Sequence, residues 1–359
     1  MWPYVLLIGL PFIFQHSKSA NIISLNTQNT KGNKRAFYIF WILLFFMVAL
    51  RHESIGNDTL AYKSIFQFIE KSNWSTALGR SAEFGYSFLN KLISLLTDDF
   101  RWVIIICAFL SIYFVAKVYI KYSNDAILSI ALFVTMSNFI MLFSGIRQVI
   151  AISLGMLAFE FTRNKKFVAF ILVILLAMTF HTSAFMLAFM YPLYHIKFKK
   201  KHLIFVFPLL GGVWIFNQPI FRFLGLILTQ FTDYDTDIEK TGSVTMLVLF
   251  VIFAVFAYLI PDESRLDADT IGMRNFLLLA VAVQMFAPLH SIAMRMGYYY
   301  MIFIPVLITR IIACRSVRMS QVAIAARHFM VVFFLVYFFV MAPADNALNT
   351  FPYQFFWQS

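Results

Sequence analysis

Charge is scarce in this chain. Only 13% of its 359 residues are Asp, Glu, Lys or Arg, against about 25% in an ordinary soluble domain. Hydrophobic residues make up 61% and aromatic residues 18%. A water-soluble fold cannot cover that much apolar surface with so little polar exterior, which excludes a soluble enzyme and a disordered chain. Cysteine is nearly missing as well. Cys107 and Cys314 stand far apart, in or beside apolar runs, which excludes a secreted disulfide scaffold and leaves both as reduced packing residues. Also missing are the alternating segments of about ten residues that mark an outer-membrane barrel. What is present instead is a series of continuous apolar runs, the pattern of an all-α polytopic membrane protein with a single integral membrane domain over residues 1–359.

A spanning helix needs about 20 apolar residues. Apolar cores near 2–15, 37–50, 102–119, 126–143, 146–161, 167–180, 184–196, 203–217, 244–260, 275–289, 296–312 and 328–342 predict about twelve transmembrane helices. The first begins Met1-Trp2-Pro3-Tyr4 with no basic segment before it, so it reads as a retained helix rather than a cleaved signal. The run 167–196 is interrupted only by His181, Thr182 and Ser183. As one helix it would measure about 45 Å, against a hydrocarbon core of about 30 Å. Its flanking clusters, Arg163/Lys165/Lys166 and Lys197/Lys199/Lys200/Lys201, also belong on one membrane face, so the chain turns back at His181. The runs 126–162 and 275–312 turn at Ser144/Gly145/Arg147 and at Pro288/His290/Arg295.

The net charge of +12 would suggest nucleic acid in a soluble protein. In a membrane protein the positive-inside rule explains it, and no nucleic-acid partner is expected. Nineteen of the 29 Lys and Arg fall on the face that carries Lys31, Lys34, Arg35, Lys165 and Lys199–Lys201, and ten on the other. The first face is then cytoplasmic and both termini external. The loop Pro261–Arg274 is acidic for that face, but Asp and Glu count little in the rule. Residues 51–101 form an external loop in which Phe84, Phe88, Leu92, Leu95 and Leu96 recur at helical spacing, as in an amphipathic helix lying on the membrane. A second external loop, 218–243, opens with Pro219–Phe231, too short to span and interfacial or re-entrant. Its Asp233, Asp235, Asp237 and Glu239 alternate, but a calcium loop needs Gly and Glu where Ile238 and Val244 stand. It reads as a solvated acidic loop, and neither a metal nor a cofactor is expected.

Ionisable residues inside spans mark function by default, and almost none sit at mid-membrane here. Cations recur instead at the external helix ends: Arg51 after the second span, Arg147, His181, and the pair His290 and Arg295 at three hairpin tips. Guanidinium groups at headgroup depth suit a phosphate or pyrophosphate, whose oxygens they bind bidentately; the alternative is interfacial anchoring. In the segment Arg51–Phe66, Gly56 permits a sharp turn and Asp58 precedes a helix whose face carries Tyr62 and Phe66. Asp58 either caps that helix or stands near a bound polyphosphate, orienting an arginine or taking a proton from a sugar hydroxyl.

Together these residues resemble the EpsG/Wzy family of bacterial polysaccharide polymerases. The matching positions are Arg51, Gly56, Asp58, Tyr62 and Phe66; Glu83, Gly85 and Tyr86; Arg147 and Gln148; His181, Ser183 and Ala184; Arg295, Tyr298 and Tyr299; and Pro352, Tyr353 and Phe355. The resemblance spans nearly the whole chain. It implies an inner-membrane glycosyltransferase working on the periplasmic face. Such an enzyme moves a growing glycan from one undecaprenyl-pyrophosphate carrier onto a new lipid-linked repeat unit, with a chain-length regulator as a candidate partner. On this reading Arg51, Arg147 and Arg295, with His290, hold pyrophosphate. One of Glu53, Asp58, Glu83 or His181 orients or deprotonates the acceptor, and Tyr62, Tyr86, Gln148, Tyr298 and Tyr353 face glycan. A lipid-linked oligosaccharide flippase, a periplasmic glycan ligase and a non-catalytic assembly scaffold are the competing functions.

Overall fold

The computed structural model describes residues 1–15, 31–79, 83–228, 244–344, 346 and 348–358. The acidic stretch Asp233–Glu239 lies outside the described residues. Among the described residues the chain is helical, with no strand beyond two isolated bridges. Cys107 and Cys314 are both free thiols.

The first long helices, α1 (Trp2–Gln15) and α2 (Lys31–Ala49), pack on each other, and α2 packs on α6 (Arg101–Tyr122). Between α2 and α6 the chain makes three shorter helices, α3 (Thr59–Lys71), α4 (Trp74–Gly79) and α5 (Phe84–Ser94). The α5 residues Phe84, Phe88 and Leu92, and Leu95 and Leu96 just beyond, are all exposed, an apolar face directed away from the protein. The most enclosed helices are α7 (Ala126–Thr135), continued by the short α8 (Ser137–Met141), and α9 (Ile146–Arg163). Asp125 starts α7 by accepting from the Leu128 N–H at 3.1 Å. Helix α9 packs on α6 and on α10 (Phe167–Phe180). A 3-10 turn, Thr182–Phe189, then leads into α11 (Met190–His195).

Helices α12 (Leu203–Ile215) and α13 (Asn217–Leu228) follow, then α14 (Val244–Leu259) and α15 (Ala268–Gln284), which pack together. The chain ends with α16 (Ser291–Met301), α17 (Ile304–Ala313) and α18 (Ser320–Ala344), the last lying against α7. The three expected breaks fall where the length argument placed them. Helix α10 stops at His181, whose backbone is extended, and the gaps α8–α9 and α15–α16 hold Ser144/Gly145 and Pro288/His290.

Of the twelve expected spans, only some form helices long enough to cross a membrane unaided among the described residues. Among the described residues three helices are long and apolar enough to cross a membrane alone: α2, α6 and Ser320–Met341 of α18. Two bent pairs add to them, α12–α13 at 77° and α16–α17 at 43°. Several other apolar runs form helices of 10–17 residues. The run 126–143 breaks at Met136, whose extended backbone ends α7 early, and the run 184–196 is half 3-10. Apolar length measures material available to cross a bilayer, but it does not register these local breaks.

Among the described residues the cations assigned to the first face gather at one end of the bundle. Lys121 pairs with Glu160, and Arg163 and the Tyr194 hydroxyl both donate to Asp269. Arg310 pairs with Asp267, and Arg327 with Asp125. Arg274, wholly buried, pairs with Glu263 and donates to Phe198 O. The site candidates assigned to the second face gather at the other end.

Candidate functional site

Two glycines bring that second end together. Gly56 has φ +87°, and a Cβ there would lie 1.8 Å from Phe143 O. Only glycine allows both the left-handed backbone and this approach. The turn after α2 therefore rests on the tip between α8 and α9. The Asp58 N–H donates to Ser144 Oγ at 3.3 Å, and Ser144 Oγ donates back to Asp58 Oδ2 at 3.1 Å. Asp58 makes no side-chain cap to α3. At Gly85 a Cβ would meet Thr179 Oγ1 at 2.2 Å and the Thr179 carbonyl carbon at 3.0 Å. The start of α5 is thus pressed on the end of α10.

That contact sets Glu83, just before α5, against His181, just after α10. Glu83 Oε1 lies 2.6 Å from His181 Nδ1 and accepts from the Thr182 N–H at 3.2 Å. Glu83 Oε2 accepts from Arg147 Nη1, in the first turn of α9. One carboxylate thus joins an imidazole and a guanidinium from three distant chain segments. The Arg147 guanidinium also lies over the Tyr62 ring, 5.6 Å from its centre, and Tyr62 meets Tyr86 edge-on. Glu83 and His181 are buried, whereas the Arg147 side chain is 37% exposed, so the cluster opens outward at the arginine.

Burial alone would push the Glu83 carboxyl up. The His181 hydrogen bond, the Arg147 guanidinium and the Thr182 N–H together hold it below its ordinary value. With Nδ1 engaged by Glu83, the second ring nitrogen, Nε2, makes no hydrogen bond among the described residues. A carboxylate fixing one imidazole nitrogen so that the other can take a proton is a recurrent base–orienter arrangement.

Helix α16 reaches the same end. Gln148, next to Arg147, donates from Nε2 to Arg295 O at 2.8 Å, and Ser183 Oγ lies 3.0 Å from Tyr299 Oη. The Arg295 side chain is exposed and has no carboxylate partner among the described residues. His290 caps α16 by accepting from the Ile292 N–H at 3.1 Å, and its ring stacks on Phe221.

Other candidates stand apart from an open site. Arg51 is buried; its Nη1 donates to Val48 O at 2.6 Å, while Nε and Nη2 have no partner among the described residues. The C-terminal segment covers it: His52 N–H donates to Gln354 O, Phe356 N–H to Leu50 O, and the Tyr353 hydroxyl to Met47 O. Glu53 pairs with Lys63 at 2.6 Å. Tyr62, Tyr86, Gln148, Tyr298 and Tyr353 are all buried and present no open ring or amide face. The Thr182 N–H and Ser144 were not singled out from the sequence for their own chemistry, although each lies within three residues of His181 or Arg147.

The family model for the EpsG family matches residues 34–355. No curated protein and no solved structure matches the chain.

Proposed function

The chain belongs to the EpsG family, and from that premise we propose that it is a polysaccharide polymerase of the Wzy type. It would sit in the bacterial inner membrane and extend a glycan on undecaprenyl pyrophosphate at the periplasmic face. The observation that supports this most is the Glu83 carboxylate shared by Arg147 and His181 at the end of the bundle away from the basic flanks.

The acceptor is the terminal hydroxyl of a new lipid-linked repeat unit. It approaches the anomeric carbon of the growing chain, which is carried on a second pyrophosphate lipid. The oxygen–carbon bond to the acceptor forms as the carbon–oxygen bond to pyrophosphate breaks, with inversion. His181, held by Glu83, takes the hydroxyl proton. Negative charge grows on the departing pyrophosphate, and Arg147 and Arg295 stabilise it, since preplaced donors act most strongly where charge develops. The exposed apolar face of α5 rests in the headgroup layer beside the lipid substrates.

The bent pairs α12–α13 and α16–α17 favour one rival, since broken helices are common in transporters. In vitro lengthening from a single lipid-linked repeat unit separates the two, and polymer ladders test the arginines. Arg147→Ala and Arg295→Ala should each shorten or abolish the ladder while the protein stays folded. Full ladders from both variants would remove the arginines from the chemistry.

A further inference from the structure

Helix α12 is apolar along its whole length, yet it has no buried residue. It stands off from α14 and α15, leaving a groove between the three lined by Leu203, Val206, Leu210, Ala254, Tyr258 and Leu278 among others. The enclosed part of the groove is about 110 Å³, and the rest of it opens to the surroundings. Its lining is apolar except at one end. There the Tyr258 side chain is buried and its hydroxyl has no hydrogen-bond partner among the described residues.

The mouth at that end is basic. Lys197, Lys199, Lys200 and Lys201 lead directly into α12, all four are exposed, and none makes an ion pair among the described residues. Arg274 ties this segment to the groove: its Nη2 donates to Phe198 O at 2.6 Å while its guanidinium lies 4.0 Å over the Tyr258 ring. Two carboxylates are near. Glu263 is taken by Arg274, and Asp262 accepts from the Ser264 N–H and hydroxyl. The lysines therefore leave an excess of positive charge beside an apolar slot.

We propose that this groove is a binding site for an anionic phospholipid, with one acyl chain between α12, α14 and α15 and the phosphate on Lys199–Lys201. The site lies at the opposite end of the bundle from Glu83 and does not depend on the polymerase reading. The bound chain completes the packing of α12, and the lysines select negative headgroups, as basic pockets between membrane helices do.

Native mass spectrometry of the purified full-length protein tests this, with phosphatidylglycerol and phosphatidylcholine of equal chain length as probes. The wild type should retain phosphatidylglycerol preferentially. Lys199→Gln, Lys200→Gln and Lys201→Gln, all on exposed residues, should each lower that retention roughly fivefold and leave phosphatidylcholine unaffected. Ala254→Phe, which fills the groove, should reduce retention of both lipids. Equal retention of the two lipids by the wild type would overturn the proposal. So would undiminished phosphatidylglycerol binding by the lysine variants, or displacement of the phospholipid by polyprenyl phosphate alone.

Discussion

Glu83 holds a guanidinium and an imidazole on one carboxylate, so its removal should affect chemistry more than shape. In Glu83→Gln the amide keeps the volume but loses the charge that orients His181. Turnover should fall by roughly 10²–10⁴, the usual contribution of general acid–base catalysis, with lipid-substrate binding nearly unchanged. His181→Gln should fall by a similar factor, and the double variant should be little worse than either, because groups acting as a unit are not additive. Independent, additive losses in single-turnover kinetics would break the pair. The pH dependence follows from the lowered carboxyl pKa. Glu83 is ionised well into acid in the folded state, so its contribution to stability is present above the ordinary carboxylate pKa. It is lost only as pH falls through the lower folded value. Acid unfolding of Glu83→Gln should therefore converge on the wild type at low pH and diverge toward neutrality.

The elements around the site owe their positions to particular small residues. Gly85→Ala places a methyl against Thr179 and should part α5 from α10, lowering turnover more than it lowers helix content by circular dichroism. Gly56→Ala should be harsher, since backbone strain of about 1–3 kcal/mol at a left-handed position adds to a clash with Phe143 O. Its yield of folded protein in detergent should drop. Much of this was legible in the sequence. Gly56 reads as a sharp turn, and the Glu83-x-Gly85-Tyr86 and His181-x-Ser183 motifs mark both halves of the central pair. The partnership itself was not legible, because nothing in either motif says that α5 abuts α10. Tyr353 shows the opposite limit. Its motif was visible, but an aromatic near an external end looks the same whether it meets a sugar or, as here, donates to Met47 O under a covering segment.

Among the described residues the ion pairs divide between two ends. One end is an ionic lattice around Asp269, Asp267 and Arg274; the other is the smaller cluster around Glu83. Counting Lys and Arg along the chain was enough to foresee this division, because helices that pack side by side bring their flanks to common ends. The breaks at Met136 and in the 3-10 turn after His181 were not foreseeable, because they depend on packing rather than on hydropathy. The division also predicts how stability and activity separate. Asp269→Asn removes the charge that receives Arg163 and the Tyr194 hydroxyl, and should lower the Tm in detergent while leaving turnover per folded molecule unchanged. The most direct measurement of the central claim is to seal the purified protein into vesicles with one lipid-linked repeat unit and read both glycan length and the membrane face on which the glycan lies. A polymerase lengthens the glycan, and Glu83→Gln stops that lengthening. Movement of the unit across the vesicle with no lengthening, or equal lengthening by Glu83→Gln, would contradict the account.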